Sequence, residues 1–270
     1  MVSKLPQALV KGESGFDIEA AHFLAEMAEL AYFSPMHIEA TLADMGVHDW
    51  RFIEAWDSQC FYARFPTFRI VAFRGTQLDA GDIWTNLKFK QQDLEEIGVA
   101  EDNKSESVHR GFYDAHFALC KELCSVLGAG ETPLYLTGHS QGGALAILEA
   151  AIPDGEDDTV IYTFGAPRVG NNCFAELERY PHHRVVNSID IVPMLPFMAM
   201  GYKHSGTLQY IDGKGKIHEA IPLSTQLIDQ LKSLCASVLK GDGWFRWLPL
   251  GPFQAHSLKN YIQVLRRGIK

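Results

Sequence analysis

Short apolar runs alternate with amphipathic segments along most of the chain, and these two patterns predict strands and helices respectively. Three runs within residues 50–73 are rich in aromatic and aliphatic residues and are separated by turn residues, so we predict an antiparallel meander. Further apolar runs at residues 134–137, 160–164 and 184–187 alternate with helical segments. This alternation predicts an α/β fold in which the central sheet is mostly parallel.

Apolar residues at helical spacing predict the main helices. Asp17 is the candidate N-cap of a helix that ends near Tyr32, and a second short helix is predicted from His37 to Met45. Helices are also predicted over residues 110–127 and from about 224 to 239. The apolar face of the helix at 110–127 comprises Phe112, His116, Leu119, Cys120, Leu123, Val126 and Leu127.

The composition is that of a soluble globular protein, with 47 % hydrophobic and 21 % charged residues. No repeat or linker divides the chain, so we predict one domain over residues 1–270. The formal net charge of −9 argues against a nucleic-acid partner but leaves hydrophobic contact with a lipid surface open. No signal peptide and no apolar run of about 18 residues is present, so we predict no integral membrane segment. We therefore expect a cytoplasmic protein, with non-classical export or a removed leader as the alternatives.

The five cysteines are odd in number and lack the spacing of a disulfide framework, so we expect buried thiols. Cys120 and Cys124 are four residues apart in a predicted helix, and both are expected to face the core. No set of residues has the spacing of metal ligands. We predict neither a metal nor an organic cofactor.

Residues 138–142 read Gly-His-Ser-Gln-Gly and lie between a predicted strand and an apolar helix. In this context the Gly-x-Ser-x-Gly pattern lifts a serine hydroxyl out of a sharp turn at the end of a sheet. Such a serine becomes a nucleophile when a base takes its proton and an acidic group orients that base. Ser140 is therefore the candidate nucleophile.

On this kind of sheet the acid follows the serine along the chain, and the histidine comes last. Asp190 ends a strand-like run, where parallel sheets place catalytic groups, although a simple turn cap would have the same spacing. The backbone N–H groups of Gln141 and of the loop at residues 75–76 are candidate donors to an oxyanion. Five histidines downstream of the serine are candidate bases: His182, His183, His204, His218 and His256.

A set of short motifs follows in order between Phe73 and His204. They are residues 73–76 (FRGT), Trp84 with 86–87, 108–112 (VHRGF), 138–146 (GHSQGGALA), 163–171 (TFGAPRVGN), 184–187 (RVVN), 190–193 (DIVP), 195–196, and Tyr202 with His204. Together they resemble the class 3 lipase family, the group of filamentous-fungal triacylglycerol lipases and their bacterial relatives. The resemblance implies an α/β-hydrolase fold, with an N-terminal helical and antiparallel-strand part and a helical lid.

The resemblance also implies a role for each matched residue. It makes Ser140 the nucleophile, Asp190 the acid and Thr76 an oxyanion-hole residue that acts through its backbone N–H and its hydroxyl. It assigns the base to His256, which precedes a tyrosine near the C-terminus, and places His204 at a non-catalytic position. The family's usual Asp-His pair reads Ala-His here.

In the family, the segment after the strand that leads into the oxyanion loop forms a mobile lid. Residues 77–89 occupy that place. Trp84 and Leu87 are candidate lid or substrate-binding residues, with packing of this helix on the core as the alternative reading. Phe197 and Trp247 lie in irregular apolar segments near the predicted acid and base. They either line an acyl groove or interfacial rim, or close the bottom of the core.

The resemblance implies a serine carboxylic-ester hydrolase, most specifically a triacylglycerol lipase acting at a lipid–water interface. A phospholipase A1 or a feruloyl-type esterase on the same fold is the alternative within this chemistry. An inactive lipase-like interaction protein is the alternative from another class.

Overall fold

The computed structural model describes residues 4–75, 91–93, 106–127, 132–151, 158–177, 179–222, 224–230, 232, 244–245, 248–249 and 255–269. The predicted lid at 77–89, with Trp84 and Leu87, lies outside the described residues, as do Thr76 and Trp247.

The N-terminal part is helical, as predicted. It contains α1 (Gln7–Val10), α2 (Ile18–Leu30) and α3 (Pro35–Asp44). The predicted cap of α2 is confirmed, because the Asp17 carboxylate accepts from the Ala20 N–H at 2.7 Å. The third helix begins two residues before the predicted start because Ser34 caps it and proline occupies its first position, where no N–H is needed.

The strands in chain order are β1 (Trp50–Ala55), β2 (Ser58–Arg64), β3 (Arg69–Phe73), β4 (Gln91–Asp93), β5 (Ser107–His109), β6 (Leu134–His139), β7 (Thr159–Phe164), β8 (His182–Asn187), β9 (Thr207–Ile211), β10 (Ile217–Glu219), β11 (Trp244–Phe245) and β12 (Leu248–Pro249). Within the described residues, eight of them form one sheet in the order β1-β2-β3-β6-β7-β8-β9-β10. The pairs from β3 to β9 are parallel, and those at the two edges are antiparallel. The predicted meander and mostly parallel sheet are confirmed.

The last two strands of the sheet, β9 and the edge strand β10, were not predicted. The β9 run is interrupted by the polar residue Gln209, which is nevertheless buried, and β10 is short and partly exposed. Neither strand therefore has a clear apolar run. The β11–β12 pair also lies where the sequence predicted an irregular segment, whereas residues 224–230 are helical as predicted.

Helices cover both faces of the sheet. The remaining helices are α4 (Arg110–Leu127), α5 (Gln141–Ala151), α6 (Asn172–Ala175) and α7 (Leu258–Gly268). Alternate residues of one strand point to opposite faces. Accordingly, Ile70 and Ala72 belong to the apolar cluster with α2 and α7, whereas Val71 and Phe73 belong to the cluster with α4 and α5.

The cysteine expectations are met in part. The four described cysteines are free thiols, but only Cys60 is buried. Cys120 is half-buried and Cys124 is exposed, so the expectation that both face the core is wrong for Cys124. The buried residues of α4 are Phe112, His116, Leu119 and Leu123, and Cys124 lies past the edge of that stripe.

Across the described part of the chain, every helix is too short or too polar to cross a lipid bilayer.

Candidate active site

Ser140 occupies the turn between β6 and α5. Its φ of 57° lies in the left-handed region, which residues other than glycine rarely adopt. The Ser140 N–H donates to the Phe164 carbonyl at 3.0 Å, and its own carbonyl accepts from the Gly143 N–H at 3.0 Å. These bonds hold the strained turn in one conformation, with the residue only 6 % exposed.

The two glycines of the motif are required by close contacts between backbones. A Cβ atom on Gly138 would lie 2.3 Å from the carbonyl of Gly142, and one on Gly142 would lie 2.2 Å from the carbonyl oxygen of Phe73. Any larger residue at either position would push α5 away from the sheet.

Asp190 and His256 form a buried hydrogen-bonded pair. Nδ1 of His256 lies 3.0 Å from Oδ1 and 2.9 Å from Oδ2 of Asp190. His256 is 7 % exposed and Asp190 is 1 % exposed. Because a carboxylate can only accept, Nδ1 carries the hydrogen of this contact. In the neutral imidazole the lone pair is then on Nε2, which leaves that atom free to act as a base.

Tyr261 also holds Asp190, a contact that the sequence did not reveal. Its hydroxyl donates to Oδ2 of Asp190 at 2.6 Å and accepts from the Asn187 N–H at 3.1 Å, while the Val192 N–H donates to Oδ1 at 2.9 Å. Burial, and then the charge of Asp190, hold the pKa of Tyr261 well above its usual value, so the hydroxyl stays a donor. The available signal was the tyrosine that follows the candidate base in sequence, in the first turn of α7.

Gly165 is a second residue that the sequence did not single out. Its φ of 58° places it in the left-handed region, and a Cβ there would lie 2.7 Å from Oδ2 of Asp190 and 3.1 Å from Nδ1 of His256. Only glycine at this position leaves room for the Asp190–His256 pair. The signal was its place directly after a buried strand.

Strand order brings these groups together. Ser140, Gly165 and Asp190 follow β6, β7 and β8, which are neighbouring parallel strands, so all three lie at one edge of the sheet. His256 precedes α7, and its segment is attached to the end of β8 because Nδ2 of Asn187 donates to the Ala255 carbonyl at 3.2 Å. The ring centroids of His256 and His139 are 4.5 Å apart. Because His139 directly precedes Ser140, this contact places the Asp190–His256 pair beside the serine turn.

The other four candidate histidines have different partners. His182 contacts the Thr163 hydroxyl at 3.0 Å, His183 the Ser14 carbonyl at 2.8 Å and His204 the Pro193 carbonyl at 2.7 Å. His218 pairs with Asp212 at 2.8 Å. His256 is therefore the histidine of this set that the structure places on Asp190.

The predicted oxyanion donor Gln141 is the first residue of α5. The helix begins directly after Ser140, so a negative charge that develops there meets the positive end of the helix dipole. Phe197 is 47 % exposed, so it does not close the core. It belongs to an exposed apolar patch with Met194, Met198 and Met200, on two short 3₁₀ turns that follow Asp190.

The described residues show no cluster of three or more metal-ligating side chains. A nucleophile, a base, an acid that orients the base and a helix N-terminus are the groups that acyl transfer requires.

Comparison with known proteins gives one consistent family. Residues 70–200 match the family model described as lipase (class 3). A secreted mono- and diacylglycerol lipase of Fusarium solani is 32 % identical over 154 residues, which cover 53 % of this chain and 44 % of that protein. The lipase of Rhizomucor miehei is 36 % identical over 118 residues, which cover 38 % of this chain and 32 % of that protein. The chain thus spans less than half the length of these curated relatives.

The likeness in fold extends further than the likeness in sequence. The solved structure of the Rhizomucor miehei triacylglyceride lipase aligns with a TM-score of 0.61 at 23 % identity, over 80 % of this chain and 92 % of that one.

Proposed function

Because the chain belongs to the class 3 lipase family and has an α/β-hydrolase fold, we propose that it is a serine carboxylic-ester hydrolase, most specifically a lipase of acylglycerols. The observation that carries this proposal is the buried Asp190–His256 pair, which lies at the same sheet edge as the strained Ser140 turn.

The proposed reaction proceeds in two half-reactions. The hydroxyl of Ser140 attacks the ester carbonyl carbon while Nε2 of His256 takes its proton, and Asp190 stabilises the imidazolium. The backbone N–H groups of Gln141 and Thr76 stabilise the tetrahedral oxyanion. His256 then protonates the leaving alcohol, which leaves an acyl-enzyme. Water attacks this ester by the same sequence and releases the fatty acid.

Two observations support a lipid substrate. The relatives include a mono- and diacylglycerol lipase and a triacylglyceride lipase. In addition, the apolar patch of Met194, Phe197, Met198 and Met200 is exposed directly after the acid. Exposed apolar side chains at this position favour contact with a lipid surface, in spite of the net charge of −9.

The nucleophile is tested by covalent labelling with an organophosphonate, measured by intact mass and peptide mapping. We expect one label on the unaltered chain, located on Ser140, and none on Ser140→Ala. The matched control is Ser125→Ala, which removes an exposed serine hydroxyl from α4 and should leave the label in place. Labelling of Ser140→Ala at another residue would end the assignment.

The substrate class is tested by hydrolysis rates on tri-, di- and monoacylglycerols, phospholipid vesicles and feruloyl esters. We expect the highest rates on acylglycerols, with a rise in rate above their solubility limit. Faster hydrolysis of phospholipids or feruloyl esters would point to those alternatives, and no turnover on any ester would favour an inactive interaction protein.

A further inference from the structure

A chain of hydrogen bonds connects Tyr32, two residues past the end of α2, with the serine turn and with His256. The Tyr32 hydroxyl lies 3.0 Å from Nδ1 of His139, and Nε2 of His139 lies 2.6 Å from the backbone carbonyl oxygen of His256. A carbonyl oxygen only accepts, so Nε2 carries the hydrogen and Nδ1 accepts from the Tyr32 hydroxyl. Both ring nitrogens of His139 therefore have fixed roles.

The same hydroxyl reaches the strand that precedes the predicted oxyanion loop. The Tyr32 oxygen also lies close against Gly75, the second residue after β3. A Cβ on Gly75 would lie 2.3 Å from that oxygen and 2.5 Å from the His139 carbonyl oxygen, so only glycine permits this approach. Thr76, the proposed oxyanion donor, is the next residue in the sequence.

Neither Tyr32 nor His139 changes its charge near neutral pH. Burial, and then the charge of His256, hold the pKa of His139 well below its usual 6.5. Burial likewise raises the pKa of Tyr32 above its usual range. The pair thus keeps one pattern of donors and acceptors while His256 gains and loses a proton in each half-reaction.

We propose that Tyr32 and His139 are positioning residues of the reaction. Through these contacts they hold Gly75 and the His256 main chain at fixed places relative to Ser140. This inference rests on the proposed function, because positioning has a meaning only if Ser140 and His256 carry out acyl transfer. The physical reason is that displacement of a reacting group by about 1 Å can reduce turnover by about 100-fold.

The test is Tyr32→Phe, which keeps the ring but removes the hydroxyl. His139 Nδ1 then loses its donor, and Gly75 loses its contact with the hydroxyl. We expect kcat on a soluble short-chain ester to fall by about 10-fold to 100-fold with KM nearly unchanged, at a temperature where the variant is folded by circular dichroism.

The matched control is Tyr162→Phe. The Tyr162 hydroxyl is also buried and has two backbone partners, since it donates to the Gly15 carbonyl at 3.1 Å and accepts from the Asp17 N–H at 3.1 Å. We expect this variant to lose a similar amount of thermal stability but to keep the kcat of the unaltered chain. A merely structural role of Tyr32 predicts the same behaviour for both variants.

Two variants of His139 separate the two hydrogen bonds. His139→Asn places an amide oxygen near the position of Nδ1 and so keeps an acceptor for Tyr32. His139→Gln places an amide N–H near the position of Nε2 and so keeps a donor to the His256 carbonyl. We expect both to retain a higher kcat than His139→Ala. If Tyr32→Phe does not fold, this series tests the positioning role in its place.

Three results would overturn the positioning role while the proposed function stands. They are an unchanged kcat in Tyr32→Phe, a loss of kcat in Tyr162→Phe equal to that in Tyr32→Phe, and the same kcat in all three His139 variants. No ester turnover by the unaltered chain would overturn the proposed function, and the positioning role with it.

Discussion

Asp190 shows how single residues prepare this site. A buried carboxylate loses its hydration, and this loss is offset only by hydrogen bonds and an opposite charge. Hydrogen bonds support Asp190, because its oxygens accept from His256, from the Tyr261 hydroxyl and from the Val192 N–H. Its two oxygens are therefore fixed in the orientation that holds the imidazole of His256.

Tyr261→Phe tests this arrangement at the residue scale. The change removes the 2.6 Å hydrogen bond to Asp190 and leaves one carboxylate oxygen with less support. We expect kcat to fall by about 10-fold and the free energy of unfolding by about 1–3 kcal/mol, measured by ester hydrolysis and urea denaturation. In the control Tyr210→Phe, a buried tyrosine loses its 3.0 Å hydrogen bond to Asp229, and kcat should not change. Equal turnover by Tyr261→Phe and the unaltered chain would show that His256 and Val192 suffice to orient Asp190.

At the scale of elements, α5 lies unusually close to the strands beneath it. Gly142 approaches the end of β3, and a Cβ on Gly143 would lie 2.7 Å from that of Ala166, beyond the end of β7. The buried residues that follow include Ala144, Ala146 and Ala150. Glycine at positions 142 and 143 lets the helix N-terminus reach the sheet edge where Ser140 lies.

Gly142→Ala tests this close packing. The added Cβ would meet the Phe73 carbonyl oxygen at 2.2 Å, and backbone cannot rotate away as a side chain can. We expect the free energy of unfolding to fall by about 3 kcal/mol, together with loss of turnover. In the control Gly15→Ala the new Cβ meets no atom within 4 Å, so stability should stay within about 0.5 kcal/mol. Similar denaturation midpoints for the two variants would contradict the proposed contact.

The whole molecule contains a set of buried histidines that resist protonation. Burial lowers the pKa of each of these described residues: His22, His109, His139, His182, His183 and His204. The pKa of His109 falls from 6.5 to about 4, and that of His182 to about 3. In the unfolded chain they bind protons near pH 6.5, so below that pH the unfolded state takes up more protons than the folded one. Stability is therefore complete above pH 6.5 and is lost as the pH falls toward the folded-state values.

His109→Asn tests this pH dependence. The variant keeps an acceptor near Nδ1 for the Phe112 N–H but removes the titrating ring. Between about pH 7.5 and pH 5 the unaltered chain should lose about 2 kcal/mol of stability through His109 alone, and the variant should lose correspondingly less. Guanidinium denaturation at the two pH values measures the difference, with exposed His48→Asn as the control. An identical loss in His109→Asn and the unaltered chain would assign the pH dependence to other groups.

The sequence by itself determined the features that depend on local pattern. Apolar runs, helical spacing and turn residues predicted β1 to β3, the parallel strands β6 to β8 and the cap of α2. Each of these features involves residues that are neighbours in the chain. The strand–turn–helix motif indicated Ser140, and the ordered motifs indicated Asp190. Local pattern failed for β9, whose buried Gln209 interrupts the apolar run, and for Cys124, which lies just past the buried stripe of α4.

Only the tertiary structure decided which distant residues meet. Spacing left five histidines open, since sequence separation carries no distance, and the fold places His256 on Asp190 across 66 residues. The contacts of Tyr32 with His139 and of Tyr261 with Asp190 span 107 and 71 residues. These pairs form because parallel strands end at one edge of the sheet and the helices that cover it bring their own side chains to that edge. Strand order and helix packing, which arise from burial over the whole chain, therefore determine the geometry around Ser140.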